Sequence, residues 1–246
     1  MGYLNRTAAR HAFIVLVGLV LLAPLAAQPA RLRVLAATGT AEEIRAALEA
    51  GADFNDHDSS GVTALMAAAL TNRDPGAVLV LLRYGAVVDA RDRNGETALM
   101  LAAERNGDPS VAVALIKGGA ALENRDLFGR TALMHAAMSN PAVPVLEALL
   151  KAGAKVNARD SYGLSALLYA AWVGRNPEVA LALLAAGADA RARSDSGRTL
   201  LEYAQDNPAL RQDASLMRQL EQAMKADRSS AERPREQGKS NAGDPA

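Results

Sequence analysis

The sequence predicts an all-α repeat solenoid, a stack of helix-turn-helix units joined by β-hairpin-like loops. Two columns of glycine recur every 34 residues, and columns of threonine and aspartate recur in the same phase. The 246-residue chain is 50% hydrophobic but only 4% aromatic, so alanine and leucine, which favour packed helices, supply most of its apolar content. A repeat of this length is typical of solenoids, in which each unit buries its apolar face only against its neighbours.

Composition excludes several classes of function. Lysine plus arginine equals aspartate plus glutamate at 27 each, so no overall positive charge is present to hold nucleic acid. The absence of cysteine excludes disulfide scaffolds, thiol nucleophiles, cysteine metal sites and a lipid-modified cysteine. Three histidines argue against a histidine-based metal or proton-relay site. We therefore expect no cofactor, no metal, no nucleic-acid partner and no catalytic activity.

Residues 1–27 resemble a bacterial secretory signal peptide. Two arginines precede an uncharged stretch over 12–30, and Pro24–Ala27 resembles a cleavage site that ends at Ala27. The alternative is an uncleaved N-terminal membrane anchor, although a spanning helix needs about 20 apolar residues and Pro24 interrupts this one early. Both interpretations place the rest of the chain outside the cytoplasm, because the arginines stay inside. We expect a periplasmic or secreted protein or, with the anchor, one held in the inner membrane and facing the periplasm.

The two glycine columns bound a ten-residue loop in each unit. Turn glycines are Gly61, Gly95, Gly129, Gly163 and Gly197, and loop-start glycines are Gly51, Gly85, Gly119, Gly153 and Gly187. A third column places an aspartate three residues before four of the turn glycines, at Asp58, Asp92, Asp126 and Asp160. Segments such as Asp92–Gly95 are rich in turn formers. We therefore predict a β-turn in which each aspartate binds its own backbone.

Each unit is predicted to contain two helices. N-caps of the first helices are Thr63, Thr97, Thr131, Ser165 and Thr199, the last with Glu202 in a capping box. Second helices begin at Asp74-Pro75, Asp108-Pro109 and Asn176-Pro177, each an N-cap followed by proline. We expect the first helices to end near Asn72, Asn106, Asn140 and Gly174, because these residue types accept the left-handed conformation.

The apolar columns define the expected core. Alanines that permit close helix approach recur at Ala68, Ala102, Ala136, Ala170 and Ala204. Leucines fill the layers between them, so Leu133 of the middle unit is expected to be buried. Glu104, on a first-helix column, is expected to be exposed.

The pattern Asp-x-x-Gly-x-Thr-Ala-Leu-Met-x-Ala, followed by Leu-Leu-x-x-Gly-Ala-x-Val, resembles the ankyrin repeat in its bacterial variety with Asn/Asp-Pro between the helices. The solenoid is predicted over 31–226, as a partial unit 31–57, repeats 58–91, 92–125, 126–159 and 160–193, and a C-terminal cap 194–226. The polar segment 227–246 is predicted to be a disordered tail. A tetratricopeptide array has the same period, but its nearly contiguous helices leave no role for two glycine columns. Methionine replaces the histidine usual after the threonine, so we expect the hydrogen bonds of that histidine to be absent.

Two motifs imitate ligand sites. Gly238-Lys239-Ser240 resembles the end of a phosphate loop, but Arg233 stands where the first glycine is needed and no strand precedes it. Asp56, Asp58 and Ser60 resemble the start of a calcium loop, but the twelfth position lacks the required glutamate. His57 is interpreted as a solvated turn residue. An arginine column is expected to form an alternating-charge ladder with the turn aspartates, at Arg91, Arg125, Arg159 and Arg193.

The resemblance to ankyrin implies a non-catalytic module that binds a protein partner through its hairpin tips and first helices, on the concave face. We expect a monomer that stabilises or inhibits an envelope enzyme or toxin. One alternative is a membrane-anchored structural component of the envelope. An enzyme is disfavoured, because no nucleophile–base pair or paired carboxylates recur in one cleft.

The predicted binding patch lies where scarce aromatic residues gather on hairpin-tip and first-helix columns. Its residues are Leu127, Phe128, Arg130, His135, Met138, Tyr162, Leu164, Tyr169 and Trp172. We expect Phe128, Tyr162 and Trp172 at the centre, with Arg130 at the rim. Exposed aromatic residues are favoured at binding hot spots. His135 and Tyr169 lie next to the alanine column, so burial in the core is the alternative for both.

Overall fold

The computed structural model describes residues 29–139 and 142–231, which form twelve α-helices. The predicted leader over 1–27, the predicted helix end at Asn140 and the chain after 231 lie outside the described residues. The helices are α1 (Pro29–Thr38), α2 (Ala41–Glu49), α3 (Ala64–Thr71), α4 (Pro75–Arg83), α5 (Ala98–Arg105), α6 (Pro109–Lys117), α7 (Ala132–Ser139), α8 (Val143–Lys151), α9 (Ala166–Trp172), α10 (Pro177–Ala185), α11 (Leu200–Asp206) and α12 (Ala214–Ala231).

These helices form two layers. The first helices of the units, α1, α3, α5, α7, α9 and α11, each contact the equivalent helix of the next unit. The second helices, α2, α4, α6, α8 and α10, do the same, and α12 packs against α11. The predicted all-α repeat solenoid is confirmed, since the contacts join each helix pair to its neighbours along the stack.

Side-chain caps begin most helices of the units, and α8, preceded by Ala142, is an exception. The hydroxyl oxygens of Thr97 and Ser165 accept hydrogen bonds from the backbone N–H three residues on. Thr199 and Glu202 form the predicted capping box. Asp108 and Asn176 cap second helices through the N–H two residues on, with proline at the first helical position. The predicted positions of these caps are confirmed.

The glycine columns occupy the left-handed region of backbone conformation. All ten glycines have a φ between 71° and 98°. At Gly129 a second requirement is added, because a Cβ atom there would lie 2.9 Å from the backbone nitrogen of Ser161 in the next unit. Only glycine satisfies both the positive φ and the close approach of successive turns.

Hydrogen bonds within and between turns hold the loops in register. Asp92 Oδ1 accepts from the backbone N–H groups of Asn94 and Glu96, both at 2.8 Å, as the aspartate column predicts. The N–H of Leu127 then donates to the carbonyl oxygen of Asn94 at 3.0 Å, which joins one turn to the next. The arginine column differs from its prediction. Arg125 Nη1 donates at 2.7 Å to the carbonyl oxygens of Gly129 and of the next arginine of the column, so the ladder consists mainly of backbone contacts. One ion pair is added, between Arg159 Nη2 and Asp195 Oδ1 at 3.4 Å.

The first helices do not end in the left-handed conformation that the sequence predicts. Asn72 and Asn106 are extended, with φ of −76° and −81°, and no residue other than glycine has a positive φ among the described residues. Both side chains are buried. Asn106 Nδ2 donates to the carbonyl oxygens of Ala69 and Asn72 in the preceding unit, at 3.0 and 2.8 Å. The asparagines therefore satisfy orphan carbonyls of the neighbouring unit, which is a long-range role that their local sequence does not indicate.

The predicted core is confirmed in its details. The five column alanines are at most 1% exposed, and Leu133 is also 1% exposed. The methionines after the threonines are buried with them. Met66 Sδ and Met134 Sδ each accept a hydrogen bond from the backbone N–H of the unit's threonine at 3.5 Å. The sulfur atom thus supplies an acceptor at the position where the loss of histidine predicts none.

The two ends of the solenoid differ from expectation. α1 completes the first unit, which was predicted with one helix only. The link from Asn72 reaches Gly39 over 33 residues, whereas the link from Asn106 reaches Asn72 over 34, so α1 is out of phase with the repeat by one residue. At the other end α12 continues to Ala231, beyond the boundary predicted at 226, because no glycine or proline interrupts the helix there. None of the helices described is both long and apolar enough to cross a membrane.

Candidate functional site

An open groove of about 650 Å³ lies where the turns of three successive units meet α7, α9 and α11. Five aromatic side chains define it, and we name it the aromatic groove: Phe128, Tyr162, Tyr169, Trp172 and Tyr203. The chain contains only nine aromatic residues, three Phe, five Tyr and one Trp. The majority of them therefore line one site.

Backbone bonds between turns fix the tips of the groove. Phe128 and Tyr162 each precede a turn glycine. The carbonyl oxygen of Phe128 accepts from the N–H of Ser161 at 3.0 Å, and that of Tyr162 accepts from the N–H of Asp195 at 3.0 Å. Their side chains remain 47% and 56% exposed. The turn ladder thus holds two large apolar side chains in solvent on a rigid backbone.

Trp172, the last residue of α9, connects the two tyrosines of the groove floor. Its ring is stacked on that of Tyr169 at a centroid distance of 6.3 Å and lies 5.8 Å from that of Tyr203. Trp172 is 43% exposed, whereas both tyrosines are buried. Aromatic pairs in this distance range attract each other beyond the effect of burial alone.

A buried hydrogen bond orients each tyrosine. The hydroxyl of Tyr169 donates to Asp160 Oδ2 at 2.6 Å, while Asp160 Oδ1 accepts from two backbone N–H groups of its own turn. Burial and the Asp160 carboxylate raise the pKa of Tyr169, so this hydroxyl stays protonated as a donor. In the next unit the hydroxyl of Tyr203 donates to Ser194 Oγ at 3.1 Å.

His135 occupies the equivalent position one unit earlier, in a different environment. Its Nε2 lies 3.1 Å from Asp126 Oδ2 and 3.9 Å from Glu96 Oε1, and its Nδ1 lies 3.6 Å from Glu104 Oε2. We name these four side chains the acidic pocket. It borders a separate depression of about 300 Å³ next to the aromatic groove.

The charges of the acidic pocket are strongly coupled. Burial disfavours a charged imidazole, but the hydrogen bond with Asp126 and the nearby Glu104 carboxylate outweigh it and raise the pKa of His135. The His135 ring in turn lowers the pKa of Glu104, and Arg105 lowers it further. Burial alone raises the pKa of Asp126, yet hydrogen bonds from His135 and Arg130 bring it below its usual value. Glu104, expected to be exposed, is therefore half-buried and engaged with His135.

Arg130 links the two sites. Its Nε donates to Asp126 Oδ2 at 2.6 Å, and its guanidinium carbon lies 4.8 Å from the centroid of the Phe128 ring. This distance is within the range of a cation–π contact. Arg130 therefore stands at the rim of the aromatic groove and against the acidic pocket, with its charge balanced by a buried carboxylate.

The predicted patch residues separate into three groups. Seven line the aromatic groove: Phe128, Arg130, Met138, Tyr162, Leu164, Tyr169 and Trp172. His135 lies in the acidic pocket instead, and Leu127 is 71% exposed but does not line the groove. Leu164 and Tyr169 form its buried floor, as does Tyr203, which was not among the predicted site residues. Tyr203 stands in the same sequence column as Tyr169, so the periodicity contained a signal for it.

The pattern that imitates a calcium loop is a turn. Asp58 Oδ1 accepts from the backbone N–H groups of Ser60 and Val62 at 2.8 and 3.0 Å. These bonds lower the pKa of Asp58. The interpretation of this segment as an Asx-type turn is confirmed. Within the part of the chain that the structure describes, one group of potential metal ligands does converge, and it comprises Glu96, Asp126 and His135 of the acidic pocket.

Stacked helix pairs that present their turns and first helices around a groove define a repeat scaffold of the binding type. The sequence model of the family "Ankyrin repeats (3 copies)" matches residues 32–120 and 99–194, which together span more than half of the chain. The chain belongs to the ankyrin repeat family. Ankyrin repeats are generally protein–protein interaction modules and are typically non-catalytic. No curated protein matches the chain.

Proposed function

We propose that this chain is an exported interaction module that binds a protein partner in the aromatic groove. The observation that carries the proposal is the exposure of Phe128, Tyr162 and Trp172 around one depression. Large aromatic side chains dominate the binding energy of protein interfaces, and apolar patches of this kind are uncommon on surfaces without a partner. The tyrosine hydroxyls of the floor are already bonded within the fold, so the groove offers a mainly apolar surface.

The partner that we propose is an envelope protein, an enzyme or toxin that the module stabilises or inhibits. A rigid groove suits this role, because its side chains are held by turn and helix contacts before the partner arrives and little conformational freedom is lost on binding. The catalytic chemistry would belong to the partner.

Site-directed crosslinking in the native envelope tests this proposal. A photoreactive residue at position 161, in the groove, should capture one protein that mass spectrometry identifies. The same residue at position 151, at the exposed end of α8, serves as the control. Equal capture of the same proteins at both positions would remove the groove as the binding surface.

Export is proposed from the leader-like sequence at residues 1–27. Cell fractionation with N-terminal sequencing separates the two outcomes. A chain that starts near Gln28 in the soluble periplasmic fraction supports export with cleavage. A full-length chain in the membrane fraction supports the alternative of an anchored structural component of the envelope, and a full-length chain in the cytoplasm contradicts both.

A further inference from the structure

The acidic pocket is built from equivalent positions of two adjacent units. Glu96 and Asp126 belong to successive turns, while Glu104 and His135 belong to α5 and α7. His135 is 2% exposed, and the side chains of Glu96 and Glu104 are 12% and 20% exposed. The depression beside them opens to solvent, so the buried imidazole lies close to a route for small ions.

The spacing of the ligand atoms suits a metal ion. One ligand atom from each of His135, Asp126 and Glu96 lies within 4.8 Å of the other two. Two ligands bound at right angles to a cation about 2.1 Å away are about 3.0 Å apart. The distance between His135 Nε2 and Asp126 Oδ2 is 3.1 Å, which already matches. The distance between His135 Nε2 and Glu96 Oε1 is 3.9 Å, so it must shorten by less than 1 Å. Glu96 is on a turn and is held by a long hydrogen bond of 3.4 Å from Asn94, which permits this adjustment.

Glu104 supplies an orienting group. Its Oε2 lies 3.6 Å from His135 Nδ1, on the opposite edge of the ring from Asp126 and Glu96. A carboxylate that accepts the Nδ1–H leaves the Nε2 lone pair directed at the other two carboxylates. This carboxylate–histidine–metal arrangement is common at metal sites in proteins and fixes the tautomer of the ligand.

The charge of the pocket favours a divalent cation. The three carboxylates, with Arg130 paired to Asp126 and Arg105 paired to Glu104, leave one negative charge when His135 is neutral. Asp126 Oδ1 accepts from two backbone N–H groups, and Arg130 Nε bonds to Oδ2. A carboxylate oxygen has two lone pairs, so one on Oδ2 remains to face His135. The same carboxylates that stabilise a proton on the imidazole also attract a metal ion to that position.

We propose that the acidic pocket binds one first-row divalent cation through His135 Nε2, Asp126 Oδ2 and Glu96 Oε1, with Glu104 as the orienting group. Waters in the open depression complete the coordination. One imidazole with carboxylates is a donor set that suits Zn²⁺ and Mn²⁺. The site is distinct from the aromatic groove and does not depend on the proposed partner.

Calorimetric titration of the full chain with Zn²⁺, after treatment with a chelator, tests the proposal. We expect one equivalent to bind. Glu96→Gln and His135→Gln should each weaken binding at least tenfold, and Glu104→Gln should weaken it about 10–100-fold. His57→Gln, at the exposed histidine, and Glu147→Gln, at an exposed glutamate, are the matched controls and should leave the affinity unchanged.

Nitrogen NMR of the histidine rings separates ligation from a structural role. Zn²⁺ should shift the His135 Nε2 resonance while Nδ1 keeps its proton, and the ring of His57 should not respond. Glu96→Gln keeps the test decisive if the buried His135→Gln variant fails to fold, since Glu96 lies on a turn. Absence of Zn²⁺ binding in the wild-type chain, or equal binding by Glu96→Gln, would overturn the proposal. If His57→Gln lowered the Zn²⁺ affinity as much as His135→Gln does, the titration would have detected an adventitious ion only.

Discussion

The early units 58–91 and 92–125 and the later units from 126 onward share one turn but use it differently. The aspartates at 58, 92, 126 and 160 each accept two backbone N–H groups through Oδ1. Nine residues on, the early units carry Ala67 and Leu101. The later units carry His135, Tyr169 and Tyr203, each of which bonds to the side chain of the turn residue.

This comparison separates the scaffold from the site. One carboxylate oxygen builds the turn in each of the four units with an aspartate, and in two of them the second oxygen positions a first-helix side chain. The exposed aromatics follow the same division, because Ser60 and Asn94 occupy the hairpin-tip position that holds Phe128 and Tyr162 later in the chain. Changes to the scaffold should therefore affect both halves alike, and changes to the tips should affect binding only in the later half.

The largest effect is expected from the shared core. Leu133→Ala and its early-unit equivalent Leu99→Ala should each lower the free energy of unfolding by about 2–5 kcal/mol, because both side chains are fully buried and leave a cavity. Denaturant unfolding measures this, with Glu147→Ala on the exposed surface of α8 as the control, expected within about 0.5 kcal/mol of wild type. If either leucine variant lost no more stability than Glu147→Ala, the placement of these leucines in the buried layer between units would be wrong.

Two glycines distinguish backbone strain from close approach. Gly153 and Gly129 both have a positive φ, but a Cβ at Gly153 meets no atom within 4 Å. Gly153→Ala should cost about 1–2 kcal/mol of conformational strain. Gly129→Ala should cost about 1 kcal/mol or more in addition, because its Cβ collides with the turn of the next unit. Thermal unfolding shows which of the two variants is destabilised more. Equal losses of stability would show that successive turns do not restrict each other.

The buried asparagines test the links between units. Asn106→Ala leaves two carbonyl oxygens of the preceding unit without their donor, so we expect a loss of about 1–3 kcal/mol. Asn94→Ala is the matched control, since that side chain is exposed on a turn. Urea unfolding curves that coincide for the two variants would contradict the role assigned to Asn106.

A smaller effect is expected at the tyrosines. Tyr169→Phe removes the hydrogen bond to Asp160 and should cost about 1–2 kcal/mol, since the carboxylate oxygen stays buried. Tyr162→Phe, where the side chain is exposed, should cost close to nothing. If both variants unfold at the same denaturant concentration, the Asp160–Tyr169 pair contributes no stability. The early and later units then differ in shape but not in the stability that this hydrogen bond provides.

Periodicity predicted the fold well, because caps, glycines and alanine columns act within one unit or between identical neighbours. The parts that it missed depend on contacts between different units. Asn106 donates hydrogen bonds to carbonyl oxygens of the preceding unit, which its local sequence does not indicate. The helix α1 was missed because its residues are shifted by one position relative to the 34-residue repeat. The acidic pocket adds Glu96 and Glu104 of one unit to Asp126 and His135 of the next, a combination that no spacing within one unit indicates. At the site, exposure of Phe128 was predictable from its turn, whereas the burial of Leu164 was not indicated by its hairpin position.

The central claim is that the hairpin tips of the later units bind the partner. Its most direct test compares two double variants, Phe128→Ala with Tyr162→Ala and, at the equivalent early tips, Ser60→Ala with Asn94→Ala. Both should leave the unfolding curve nearly unchanged, because the tip side chains are exposed. Affinity for the protein crosslinked at position 161 should fall by about 30-fold or more in the first, since a hot-spot residue contributes about 2 kcal/mol or more, and stay unchanged in the second. Undiminished binding by the Phe128 and Tyr162 variant would contradict the account.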